Sequence, residues 1–167
     1  VRVLGGREIW LGPALMILFG RGGASFGMWE ETMAFYPLLV PVFVSAGYDA
    51  LTGVAAVLLG SGAGVLASTV NPFATGIAAG FAGVSLGDGL RLRLLMRVVF
   101  DAVAIWYVTR YAVKVRRDPS RSLVADISFR RGGEERKGGE PPALTGRRKA
   151  VLVVFTLTFL VMIYAVI

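Results

Sequence analysis

Between Ala50 and Val84 the chain carries no charged side chain. A bilayer core about 30 Å thick needs about 20 helical residues, so this run exceeds one plain span. It is also interrupted. At Ser68-Thr69-Val70-Asn71-Pro72 the proline lacks an amide hydrogen and pushes the residue before it out of helical geometry. The run reads as one spanning helix broken near its middle, with its second half from Phe73 to Val84. Gly60, Gly62 and Gly64 give the first half a smooth face that another helix can approach closely. Hydrophobic residues make up 55% of the chain and the mean hydropathy is +0.66. A soluble domain is about 45–50% apolar, so the excess points to an all-α membrane protein.

Ile9 to Gly20 is apolar but short for a span, and Arg21 to Gly27 is rich in helix breakers. Trp29-Glu30-Glu31-Thr32 follows, then a second apolar arm from Met33 to Ala46 with Pro37 and Pro41. Two short arms around a polar tip predict a re-entrant hairpin over 8–47. Such backbone is tolerated at membrane depth only where protein or a wet cavity surrounds it. Asp49 can cap the broken helix that follows, 50–84. A further span over 90–112 carries Arg91, Arg93, Arg97 and Asp101. Arg97 and Asp101 are four apart and can pair on one face; alternatively Arg91 and Arg93 lie at the interface and Arg97 snorkels toward it. Residues 1–114 thus form the membrane region.

From Arg110 to Lys149 there are twelve Lys/Arg against five Asp/Glu, which accounts for the whole net charge of +7. Placed between apolar runs, this basic block is the positive-inside pattern of a cytoplasmic loop, not the footprint of a nucleic-acid binder. Residues 115–148 are expected to be a largely disordered cytoplasmic loop, with a short helical or interfacial stretch near Leu123 to Phe129. Residues 149–167 read as a transmembrane helix cut short, and the chain as a piece of a longer protein. The hairpin then begins and ends on the cytoplasmic side.

There is no Cys and no His. Thiolate chemistry and thiolate metal sites are excluded, and a proton relay would have to use carboxylates. No nucleophile motif or metal cluster points to an enzyme. Glu30 and Glu31 are the sharpest feature, because intramembrane carboxylates are costly and mark function by default. They could instead cap the second arm from a surface turn. The break at Ser68 to Pro72 frees backbone groups, and transporters build ion and substrate sites from such breaks. Its hydroxyl, amide and carbonyl oxygens suit a hard cation such as Na⁺. A simple proline kink satisfied by neighbouring helices is the plainer reading.

The segments GMWEETMAFYPLLVPVFVSAGYD (27–49), STVNPFATGIA (68–78) and RYAVKVRRDPSRSLV (110–124) together resemble the YfcC-like branch of the C4-dicarboxylate anaerobic carrier family. The similarity covers roughly residues 10 to 124. The resemblance implies an inner-membrane secondary transporter of elevator type, with two inverted repeats that each hold a hairpin and a broken helix. By that analogy Glu30, Glu31 and Thr32 form the hairpin tip, and Thr69, Asn71, Pro72 and Thr75 the helix break, of one repeat. A dianion beside two carboxylates would be repelled, and Arg21 is the only base placed near the tips. A basic amino acid or similar solute is therefore expected, coupled to Na⁺, H⁺ or exchange, ahead of a C4-dicarboxylate. A non-transporting membrane subunit is the remaining alternative. No cofactor is expected beyond a coupling ion. The expected partners are the solute, the lipid bilayer, the second repeat and a second copy in a homodimer, with no nucleic acid.

Overall fold

The computed structural model describes residues 8–125 and 145–166, and they are helical with no strand among them. They fall into two units, Val1–Arg130 and Arg131–Ile167. In the first unit a 3₁₀ turn at Glu8–Trp10 leads into α1 (Leu11–Phe26). A second 3₁₀ segment (Glu30–Phe35) leads into α2 (Tyr36–Ser45). Then come α3 (Ala50–Leu66), a π-helical turn at Pro72–Gly76, α4 (Ile77–Ala82) and α5 (Leu90–Arg117). The second unit holds α6 (Gly146–Val166), whose side chains from Val151 to Leu157 face outward. The loop expected over 115–148 is helical at both described edges: α5 continues to Arg117, a 3₁₀ turn follows at Pro119–Arg121, and α6 begins at Gly146. Its stretch 126–144 lies outside the described residues, as do Arg2 and Arg7.

The predicted breaker at Arg21 to Gly27 is not where the first arm ends. Helix α1 runs through it to Phe26 and stops at Gly27, which takes the left-handed φ of +78°. Glycine is a weak helix former, but here its lack of a side chain is used in packing. A Cβ on Gly22 would meet the Met28 side chain at 2.8 Å, and one on Gly23 would run into the Ser61 carbonyl of α3. Tertiary contact therefore overrides local propensity. With its 3₁₀ lead-in the element spans Glu8–Phe26, 19 residues long and apolar enough to cross a membrane by length and composition. The short-arm argument for re-entrance is removed. Ala50–Leu66, Pro72–Ala82 and Lys149–Thr158 are apolar but shorter.

Helix α3 is the centre of the first unit and packs against α1, α2 and α5. Its contact with α1 is a small-residue seam: Gly60 lies on the Met16 backbone and Gly64 on the Gly20 carbonyl. Residues 60 and 64 share a helix face, whereas Gly62 points elsewhere and receives the Trp29 ring. The expected three-glycine face is thus two faces. Helices α1 and α2 run antiparallel: Gly12 lies near Phe43, and the Phe19 and Phe35 rings meet edge-on at 5.2 Å. The core below them gathers Met16, Phe43, Tyr48, Ala56, Val108 and Ala112.

Helix α5 has 28 residues. At 1.5 Å per residue it is about 42 Å long and exceeds a ~30 Å hydrocarbon core. Its exposed stripe is apolar from Leu92 to Val103 and then turns to Trp106, Arg110, Lys114 and Arg117. Arg97 does not snorkel. Its Nε meets Asp101 at 2.5 Å, its Nη1 donates to the Gly20 carbonyl at 2.6 Å, and it is buried.

Asp49 caps α3 as its position predicts, accepting the Thr52 amide at 2.8 Å. It also accepts the Tyr111 and Ser122 hydroxyls, each at 2.6 Å, and so ties the α2–α3 turn to the far end of α5. Arg116 stacks over Tyr48 and pairs with Glu8 at 2.5 Å beside it. Burial pushes the Asp49 carboxyl up, but bonds from Ser122, Thr52, Tyr111 and the Thr52 amide outweigh it and hold the pKa below the ordinary value. A depressed carboxylate contributes stability above its unfolded pKa, and that stability is lost as pH falls through the folded one. Asp49→Asn should therefore lower the unfolding midpoint at neutral pH by the equivalent of ~1 kcal/mol, a cap-sized loss. The gap to wild type should narrow below about pH 4. Thermal melts of both chains from pH 7 to pH 3 check this; a constant gap would contradict it.

Candidate functional site

The turn after α1 and the break after α3 are hydrogen-bonded to each other and make up the candidate site. The last carbonyls of any helix lack intrahelical partners. Those of Gly23 and Ala24 are satisfied by the break: the Thr69 and Val70 amides donate to the Ala24 carbonyl at 3.1 and 3.3 Å. The Thr69 hydroxyl donates to the same oxygen at 3.3 Å, and Asn71 Nδ2 donates to the Gly23 carbonyl at 3.3 Å. Each interrupted element thus supplies what the other lacks.

Asn71 organises the break and is only 1% exposed. Its Oδ1 accepts the Phe73 and Ala74 amides at 2.8 and 3.2 Å and caps the resumed helix, where Pro72 occupies a position that needs no amide hydrogen. The Asn71 carbonyl then receives the Gly76 amide at 2.9 Å, which gives the π-type turn. Thr75 and Ser68 share a hydroxyl–hydroxyl bond across the break. Gly27 fits tightly against this cap: a Cβ there would sit 2.9 Å from Asn71 Nδ2. Its positive φ and its surroundings both require glycine.

The tip itself is divided. Thr32 is buried, and its hydroxyl donates to the Trp29 carbonyl at 2.5 Å. Glu30 and Glu31 are exposed. Glu31 turns back to accept the Trp29 amide at 3.2 Å, a local bond at the start of the 3₁₀ segment. Neither carboxylate bonds to the break among the described residues. Of the sequence-derived set, Thr69, Asn71, Pro72 and Thr75 lie together in the break, with the backbone of the α1 end and Gly27 against them.

One group near the break was not expected there. Arg93 of α5 donates from Nη1 to the Thr69 carbonyl at 2.5 Å. From Nη2 it reaches the Leu86 and Asp88 carbonyls at 2.6 and 2.5 Å. Arg21 is therefore not the only base close to the two interruptions. The signal was present in the spacing: residues 93, 97 and 101 recur every four positions on one face of α5, and Arg91 is off that face.

A helical segment interrupted at polar side chains and fastened to the end of a neighbouring helix is an arrangement that membrane transporters use. The comparisons with known proteins agree. The profile of the C4-dicarboxylate anaerobic carrier family matches residues 1–167, and the chain belongs to that family. It is 36% identical over 169 residues to a protein of Escherichia coli (strain K12) named "Putative basic amino acid antiporter YfcC", covering 100% of this chain and 33% of that protein. It is 35% identical over 164 residues to an uncharacterised protein of Haemophilus influenzae (strain Rd), covering 96% of this chain and 32% of that protein. The chain thus spans about a third of the length of these relatives. No solved structure matches it.

Proposed function

We propose that the chain is part of a secondary active transporter or antiporter of the cytoplasmic membrane that moves a basic amino acid or a similar small organic solute. The observation that carries this reading is the join between the α1 end and the helix break, made by Asn71, Thr69 and Val70. Family membership supports transport, and the name of the Escherichia coli relative supports a cationic solute. In this reading the region 8–47 is a re-entrant hairpin and the first unit is one repeat of an inverted pair. The solute reaches Glu30 and Glu31 at the tip and the polar groups of Thr32, Thr69, Asn71, Pro72 and Thr75. Exposed carboxylates at the tip favour an ammonium or guanidinium over a dianion, and the coupling species is Na⁺, H⁺ or a counter-solute.

Radiolabelled uptake by the complete transporter, with and without Na⁺ and a pH gradient, tests the proposal. Glu30→Gln or Glu31→Gln should lower uptake of a basic amino acid roughly tenfold, as expected for a lost charge-assisted contact of ~1.5 kcal/mol. Full uptake in both variants would remove the carboxylates from the mechanism. A C4-dicarboxylate is the second reading. The guanidinium of Arg93 at the break favours it, because it brings positive charge to the site. Competition by succinate but not by arginine would select that reading.

A further inference from the structure

The break frees the Thr69 carbonyl, and the turn between α4 and α5 frees those of Leu86 and Asp88. All three point at one guanidinium, that of Arg93, at 2.5 to 2.6 Å. The two segments are separated in sequence by α4, so the convergence comes from the fold. Arg93 has no ion-pair partner among the described residues. The nearest acid in sequence, Asp88, turns its carboxylate to the Ser85 amide at 2.9 Å and offers Arg93 only its backbone oxygen. Several carbonyls around one positive charge, with no carboxylate, is the ligand chemistry that proteins use for a monovalent cation; here the Thr69 bond is part-buried, and Leu86 and Asp88 close the exposed side. Here a permanently charged side chain occupies that centre.

We infer that Arg93 is the resident cation of the helix break, a positioning residue whose guanidinium fills the carbonyl cage that a small coupling cation would otherwise take. The inference rests on reading the break as part of the transport site. It has two consequences. Na⁺ does not bind at the Thr69 carbonyl while Arg93 is in place, since the ligand is used and the local charge is already positive. The shape of the break also depends on a cation supplied by α5, so that a neutral residue at 93 leaves the carbonyls facing one another without a counter-charge.

The test uses the full chain purified in detergent, with the unfolding midpoint read by helical circular dichroism. Low-millimolar guanidinium, sodium or choline chloride is added at constant ionic strength. Arg93→Ala should lower the midpoint by about 5 °C. Guanidinium or Na⁺ should then recover part of that loss relative to choline, while the wild-type midpoint stays unmoved by either. If Arg93→Ala does not fold, Arg93→Gln serves, because it keeps an amide donor and loses the charge; the same loss and the same rescue are expected. A wild-type midpoint in a neutral variant overturns the inference. So does a destabilised variant that neither cation rescues beyond choline, because Arg93 would then be a tie or a packing element only. The readout contains no flux, so its failure is distinguishable from failure of the transport reading.

Discussion

Replacing Gly64 with leucine is expected to abolish folding of the first unit. The direction of a Cβ at this position runs straight onto the Gly20 carbonyl of α1, and the Gly20 Cα lies within 2.9 Å. The obstacle is backbone on both sides, so no side-chain rotation relieves it. Overpacking a fitted core costs roughly 1–3 kcal/mol when side chains can shift, and more when they cannot. Gly64→Ala should therefore lose about 3 kcal/mol, and Gly64→Leu should separate α1 from α3 altogether. Gly80→Ala in α4 is the control. Nothing lies within 4 Å of a Cβ there, and the change should be neutral or stabilising by up to ~1 kcal/mol. Helical signal, yield and melting midpoint in detergent distinguish the two. A Gly64→Leu chain that melts like wild type would show that the α1–α3 seam is not close-packed.

The second large effect is expected at Arg97. Its side chain is 11% exposed and that of its partner Asp101 21%. Breaking such a pair leaves a charge in a poorly solvated place, and one-sided removal costs on the order of 3–5 kcal/mol. Arg97→Met also releases the Gly20 carbonyl, which Arg97 holds from α5 at 2.6 Å. Replacing both partners, as Arg97→Met with Asp101→Leu, removes the orphaned charge and should recover more than half of the loss. A double variant as unstable as Arg97→Met alone would mean that the bond to Gly20, and not the ion pair, holds α5 in place.

These two positions show how legible the site was. The small-residue run of α3 announced close helix packing, but its period did not say which glycines share a face with α1. The spacing of Arg97 and Asp101 announced a pair, yet the choice between pairing and snorkelling needed the neighbour that buries it. The break at Asn71-Pro72 is readable because proline has no amide to donate and pushes the residue before it out of helical geometry; the cap made by Asn71 is seen only in the structure. For Arg93 the interface is an open alternative in the sequence, because charged residues near a helix end usually lie there. The Arg21 to Gly27 segment was read as a breaker because glycine is a poor helix former, and burial against α3 reversed that preference.

By itself the sequence determined the class of the chain, the charge-free runs, the position of the break, the cap at Asp49 and the clustering of basic charge between apolar runs. All of these follow from local rules: hydropathy over about 20 residues, the missing amide of proline, the capping preference of aspartate, the sign of a loop. Only the tertiary structure decided what the break is fastened to. Asn71, Thr69, Arg93 and Arg97 each find a backbone carbonyl, on Gly23, Ala24, Thr69 and Gly20 in turn. Every residue carries a carbonyl, so no residue type marks such a partner in a sequence. The oxygens that become available are set by where each helix ends, and the donors that reach them by how the helices pack.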